Sequence, residues 1–319
     1  MTNLVSFPGL GLEFELSRVA VTILGRPIYW YGIIIGCGFL LAAMLCSRWA
    51  PRFGLNSDQV MDMLIYAVPA AIVGIRAYYV IFYLDLYRRP DGTLDWAAIF
   101  RFSDGGLAIY GGIIAAVVTL LIYCRWKKLS FLAFADLGVH GLLIGQCIGR
   151  WGNFMNVEAY GSVTDLPWRM CSQSIAGELW AKGLLESEQA YYDILDGALG
   201  VHPTFLYESL WNFVGIFLIY FLGRFARKFD GQLFLSYVLW YGVGRFWIEG
   251  LRTDSLYFFG LELFGMPVRT SQVLALGSAA VAGGILVWQM LIKHDPEHLF
   301  VHRAAAREPE EQTRSGEED

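Results

Sequence analysis

The residues best suited to chemistry stand together in one run, Gly149-Arg150-Trp151-Gly152-Asn153-Phe154-Met155-Asn156-Val157-Glu158-Ala159-Tyr160-Gly161. It follows an apolar segment, Leu137 to Ile148, with the composition of a membrane span. A guanidinium at the edge of a bilayer needs partners, because an unpaired charge there is costly. Asn153, Asn156 and Glu158 are close enough in sequence to serve. Glycines such as Gly161 let the backbone turn tightly or approach a ligand. Each residue alone fits a loop meeting water and headgroups. The cluster as a whole points to a ligand site.

Five further patches carry similar chemistry. Tyr29-Trp30-Tyr31-Gly32 opens the first apolar run, where Tyr and Trp ordinarily form an aromatic belt. Arg76 stands inside the second run, ahead of Tyr78, Tyr79 and Tyr83. Snorkelling or an ion pair with a neighbouring helix is the structural alternative to ligand binding there. The stretch from Ser103 to Gly112, which contains Tyr110, has glycine pairs that suit close helix packing or backbone amides near a headgroup. In His202-Pro203-Thr204-Phe205-Leu206-Tyr207-Glu208, Pro203 suits a helix start, which leaves Glu208 one turn in without a capping role. From Tyr241 to Arg252, the residues Arg245, Glu249 and Arg252 recur at intervals of four and three and share a helix face. An internal Arg–Glu–Arg ladder accounts for part of that pattern.

Arg150, Arg245 and Arg252 are all predicted near one membrane face. Guanidiniums gathered there repel unless anions sit between them. Glu158, Glu208 and Glu249 supply some negative charge, and a bound phosphate would supply the rest. The planar guanidinium is the side chain best shaped for bidentate phosphate contact. At that depth the natural phosphate is a phospholipid headgroup.

The elements that must position these residues are membrane helices. The 319 residues are 56% hydrophobic and 17% charged, against about half and a quarter in soluble domains. Apolar runs predict seven spans: about Ile28–Arg48, Val60–Tyr87, Leu107–Tyr123, Phe131–Ile148, Pro203–Leu222, Leu233–Leu251 and Ser271–Ile292. The fourth is less apolar, with Asp136 and His140 inside it. The expected architecture is an all-α integral membrane bundle of about seven helices, residues 1–292. Residues 1–27 read as an amphipathic surface segment with strand-like pieces such as Val19 to Leu24. A long extracytoplasmic insertion is expected over about 149–201. The polar tail, 293–319, should be cytoplasmic and disordered or a frayed helix.

Basic residues collect at Arg48 and Arg52, at Arg125, Lys127 and Lys128, at Arg224, Arg227 and Lys228, and at Lys293. The positive-inside rule makes that side cytoplasmic, with the N-terminus outside, the C-terminus inside and the Arg150 cluster toward the outer face. No basic tract suggests nucleic-acid binding. Cys37, Cys46, Cys124, Cys147 and Cys171 have no metal-like spacing, and an odd number gives no disulfide framework. The first twenty residues lack the basic and apolar regions of a cleavable signal.

The run GRWGNFMNVEAYG, supported by HPTFLYE and YGVGRFWIEGLR, resembles the signature of the prolipoprotein diacylglyceryl transferases, and the patches fall in that family's order from about Tyr29 to Ile292. The resemblance implies a seven-span fold with an outward-facing cavity open to lipid, in the bacterial inner membrane. It implies transfer of a diacylglyceryl group from phosphatidylglycerol to the lipobox cysteine of a prolipoprotein, releasing glycerol-1-phosphate. It implies that Arg150 and Arg245 correspond to essential arginines, with Tyr31, Asn153, Gly161 and Tyr241 at other important positions. Where Tyr110 stands, some members carry a histidine proposed as the catalytic base, so a histidine-base mechanism does not carry over unchanged. Tyr110, Glu158 and water stay open as proton acceptors. Arg76, Asn156, His202, Glu208, Glu249 and Arg252 complete the expected substrate-binding set. The nucleophile belongs to the peptide substrate, and no Walker loop, metal cluster or dinucleotide motif appears, so neither cofactor nor metal is expected. A phospholipid or anion transporter and a polyprenyl-phosphate-dependent transferase are the rival classes.

Overall fold

The computed structural model describes residues 2–89, 91–101, 105–253, 257–263, 266–292 and 294–306. Two antiparallel hairpins come first: β1 (Thr2–Phe7) with β2 (Leu12–Ser17), then β3 (Val19–Ile23) with β4 (Arg26–Tyr29). Leu24 and Gly25 turn the second hairpin with φ of 51° and 76°, the backbone twist that a two-residue hairpin loop requires. Helices α1 (Trp30–Trp49), α2 (Ser57–Phe82), α3 (Trp96–Ile99), α4 (Ile109–Trp126) and α5 (Phe131–Asn156) follow. Next come β5 (Val163–Thr164), α6 (Gln173–Ala181), α7 (Glu188–Leu195) and β6 (Gly200–Val201). The chain continues with α8 (Thr204–Phe225), α9 (Gln232–Leu251), β7 (Tyr257–Leu263), β8 (Met266–Arg269) and α10 (Thr270–Leu291). Strand β5 pairs with β6 and β7 with β8, both antiparallel.

Six helical stretches are long and apolar enough to cross a membrane: Trp30–Phe53, Ser57–Phe82, Ile109–Trp126, Phe131–Asn156, Thr204–Phe225 and Thr270–Leu291. They hold Leu40, Ile65, Ile122, Phe225 and Leu291 more than half exposed. That is the reverse of a soluble helix, and it suits surroundings of lipid. The predicted sixth span, Leu233–Leu251, is α9. It has membrane length, about 30 Å, but Gln232, Arg245 and Glu249 keep its hydropathy below that of the other six.

The described residues are mostly helical, as expected, with four short two-stranded sheets before and between the helices in sequence. The fourth predicted span does not stop at Ile148. Helix α5 continues through the motif to Asn156, eight residues past the expected end. In the tail, residues 300–306 are helical and Leu299 and Phe300 are buried. Residues 307–319 lie outside the described residues.

The chain forms two units, Met1–Leu45 with Gly138–Pro296 and Cys46–Leu137 with Glu297–Asp319. In the first, α8, α9 and α10 pack in sequence. Gly242 lets α9 approach α10, since a Cβ there would come within 2.6 Å of the Ala275 carbonyl. A small cap is built on the same unit. Its core joins Val5 and Phe7 of β1 to Ile175 and Leu179 of α6, Ile194 of α7 and Phe154 at the end of α5. Ser6 and Cys171 exchange backbone hydrogen bonds of 2.9 Å and tie β1 to that insertion.

In the second unit, Asn56 caps α2 reciprocally: its Oδ1 accepts from Gln59 N at 2.8 Å, and Gln59 Oε1 accepts from Asn56 N at 3.0 Å. Gly74 of α2 lies directly against Gly111 of α4, with no room for a Cβ on either. The glycine pair after Tyr110 therefore serves close packing. Gly54, at φ 73°, admits the backbone of Val301, which docks the tail.

Candidate active site

Arg150 and Asn153 are positioned by the extra turns of α5. The helix ends in a Schellman arrangement: Glu158 N donates to Asn153 O at 3.1 Å and Val157 N to Phe154 O at 3.0 Å. The left-handed residue this requires is Val157, at φ 54°, and Ala159 follows at φ 56°. A β-branched residue in that region costs about 1–2 kcal/mol. Burial of Val157 in the cap core offsets it. The turn aims Glu158 back at the helix, where Oε1 accepts from Asn153 Nδ2 at 3.0 Å and Asn156 Nδ2 at 3.1 Å. Asn153 Oδ1 accepts from Arg150 Nη1 at 3.4 Å. A continuous polar chain thus runs from Arg150 to Glu158.

Glu208, on the second turn of α8, is the hub. It is 5% exposed. Its Oε2 pairs with Arg150 Nη2, and its Oε1 lies 3.3 Å from Arg245 Nη1 and 3.9 Å from Arg252 Nη1. Arg245 Nη2 also pairs with Glu249 Oε2 at 2.6 Å, one helical turn along α9. The predicted ladder on α9 is therefore real between Arg245 and Glu249, while Arg252 reaches across to α8. Arg269 donates to the carbonyls of Glu249 and Arg252, the latter at 2.9 Å. Among the described residues the cluster holds more guanidinium than carboxylate, and the side chains of Arg150, Arg245 and Arg252 are 22%, 21% and 13% exposed. Such a site favours an anion.

Neighbouring contacts hold the three helices at these distances. Trp151 Nε1 donates to Ser209 Oγ at 3.1 Å, and Ser209 Oγ donates to Cys147 O at 2.8 Å, which staples α5 to α8 beside the Arg150–Glu208 pair. Gly161 N donates to His202 O, His202 N to Ser162 O and Ser162 N to Leu251 O, at 2.9, 3.1 and 2.6 Å. Three chain segments meet at Gly161, where a Cβ would come within 2.7 Å of His202 Cβ and 2.9 Å of Leu251 O. Glycine is thus a steric requirement there. His202 Nδ1 is 3.1 Å from the Tyr207 hydroxyl, and burial pushes its imidazole below the usual value. Tyr31 lays its ring over Gly152, with no space for a Cβ between them, and Tyr241 stacks on Tyr237. Arg18 Nη2 donates to Asn156 O at 2.9 Å and braces the end of α5.

Arg76 and Tyr110 lie in the other unit. Arg76, 5% exposed, gives its guanidinium to the carbonyls of Ala98, Ile99, Arg101, Gly105 and Gly106 at 2.6–3.0 Å, and so organises the loop before α4. Tyr110 is the second residue of α4 and is exposed. None of the five cysteines forms a disulfide. Cys171 is buried, and its burial pushes the thiol above its usual value, which makes it a poor nucleophile. Sequence reasoning passed over Ser209, Arg18 and Arg269. It placed Glu208 in the site without marking it as the centre, for which Glu one turn after a helix-starting Pro was the available signal.

Fold and site together define a helical integral membrane protein with an arginine-rich polar site at one end of α5, α8 and α9. Residues 18–288 match the prolipoprotein diacylglyceryl transferase family. The phosphatidylglycerol–prolipoprotein diacylglyceryl transferase of Clostridioides difficile (strain 630) is 38% identical over 284 residues, 89% of this chain and 99% of that protein. Its namesakes in Bacillus cereus (strain G9842) and Bacillus mycoides (strain KBAB4) are 41% identical over 276 and 273 residues, each covering 86% of this chain and 92% of theirs. The chain belongs to the prolipoprotein diacylglyceryl transferase family. That membership sets aside the transporter and polyprenyl-phosphate alternatives.

Proposed function

We propose that this chain transfers the diacylglyceryl group of phosphatidylglycerol to the lipobox cysteine thiol of a prolipoprotein, with Arg150 and Arg245 holding the phosphate. The observation that carries the reading is the convergence of Arg150, Arg245 and Arg252 on the buried carboxylate of Glu208. In the reaction the cysteine thiolate attacks the diacylglyceryl carbon that bears the phosphate ester. A C–S bond forms, that C–O bond breaks, and glycerol-1-phosphate departs with the electron pair. Guanidiniums fixed in place stabilise the charge growing on the leaving phosphate, without reorganisation at the moment of reaction. They also lower the pKa of a nearby thiol. Of the candidate proton acceptors, Glu158 stands in the Arg150 network and Tyr110 in the other unit. The direct test is purified protein incubated with phosphatidylglycerol and a lipobox peptide, read by mass spectrometry. A peptide mass increased by one diacylglyceryl group is expected, and an unmodified peptide from folded protein would refute the assignment.

The protein is placed in the bacterial inner membrane with the Arg150 cluster toward the outer face. The support is the run of Lys and Arg at Arg48 and Arg52, Arg125 to Lys128 and Arg224 to Lys228. A topology reporter fused after Arg52 or Lys128 should read cytoplasmic, and one inserted near Gly183 should read outside. The reverse pattern would put the site on the wrong face for lipoprotein substrates.

A further inference from the structure

Helices α8 and α9 run antiparallel through the short connection 226–231, and the contact of Glu208 with Arg245 depends on their register along each other. Close to that contact, Trp211 of α8 and Trp240 of α9 stack with ring centroids 4.2 Å apart and planes 15° from parallel. Each indole N–H donates to the backbone carbonyl of the other tryptophan: Trp211 Nε1 to Trp240 O at 3.0 Å, and Trp240 Nε1 to Trp211 O at 3.2 Å. Inside a helix each carbonyl already faces the N–H four residues on. Here those residues are Gly215 and Gly244, and their missing side chains make room for the incoming indole. A Cβ on Gly215 would come within 2.6 Å of Trp240 Nε1, and one on Gly244 would overlap Trp211 Nε1. The chain carries Trp-x-x-x-Gly once on each helix, at 211–215 and 240–244, folded onto each other.

Apolar side chains alone would let two helices slide in lipid, which offers no hydrophobic force between them. Two backbone-directed hydrogen bonds across a stacked pair permit one register. A slip of one residue, about 1.5 Å, breaks both bonds and moves Glu208 away from Arg245. We propose that Trp211 and Trp240, seated on Gly244 and Gly215, are positioning residues for diacylglyceryl transfer, fixing Arg245 against Glu208. The inference rests on the assignment of Arg245 to the lipid phosphate.

Trp211→Phe and Trp240→Phe keep an aromatic ring in the stack and remove the N–H. Each should lower kcat about tenfold with KM for phosphatidylglycerol within about twofold, because placement in the transition state is lost more than ground-state binding. The double variant should be little slower than either single one, since one broken bond already frees the register. Gly215→Ala and Gly244→Ala displace the indoles from the other side and should reproduce the loss. The deciding arm repeats Trp211→Phe in an Arg245→Lys background, where its cost should shrink below about twofold. The inference is overturned if the Phe variants turn over at the unsubstituted rate. It is equally overturned if their cost is the same with Arg245→Lys, or if kcat falls only in step with thermal stability. If Arg245→Lys is itself fully active, the phosphate assignment fails and this inference with it. If Arg245→Lys is slow while both Phe variants are normal, the positioning inference fails alone.

Discussion

Arg150→Lys should lose about a hundredfold in turnover, ~3 kcal/mol of transition-state stabilisation, while its unfolding temperature in detergent stays within a few degrees. Lysine keeps the charge but not the fork. In the structure Arg150 uses one nitrogen for Glu208 and another for Asn153, so its plane is set by two partners on different elements. A single ammonium cannot hold both and still face a phosphate. Transfer to a lipobox peptide is the measurement, with Arg245→Lys in parallel. If both lysine variants retain near-full turnover, the phosphate-clamp reading is wrong. If activity and stability fall in proportion, the arginines serve the fold.

Glu208→Gln should be the most destabilising single substitution in the site. The glutamine matches the shape and removes the charge that Arg150 and Arg245 share. Breaking a buried ion pair from one side costs about 3–5 kcal/mol, and the partial exposure of these arginines lowers the expectation to about 2–3 kcal/mol. Turnover should fall at least about tenfold, because the guanidiniums lose their fixed point. Phosphatidylglycerol added in excess should raise the unfolding temperature of Glu208→Gln more than that of the unsubstituted protein, since its phosphate replaces the missing anion. Equal stability and activity in the two proteins would show that Glu208 is not the hub.

The long helices were legible because lipid imposes one demand on all of them, a continuous apolar run. The end of α5 was not. Arg150, Asn153, Asn156 and Glu158 read as loop because each is polar. The helix persists there because Phe154 packs into the cap core while Asn153 and Glu158 satisfy one another. Val157 in a left-handed conformation runs against its own propensity and is settled by tertiary burial. Strands of two residues, such as β5 and β6, are too short to carry an alternating pattern, whereas Val19–Ile23 was long enough to show. Arg76 illustrates a different limit: a buried arginine in a span announces a partner without saying which. Here the partners are backbone carbonyls, which leave no trace in composition. The convergence on Glu208 likewise joins residues 37 and 58 positions away, a distance no local pattern spans.

The polarity of α9 has a consequence for how the protein is made. A helix carrying Arg245 and Glu249 partitions poorly into a bilayer by itself, each charge costing up to ~3 kcal/mol on insertion scales and less near a helix end. Helix α8, with Glu208 as its counter-charge, precedes it by only a short connection. Biogenesis is therefore best served when the translocon releases the two as one hairpin, with Arg245 and Glu208 already neutralised against each other. On that view the residues of the site first act as the passport by which α9 enters the membrane.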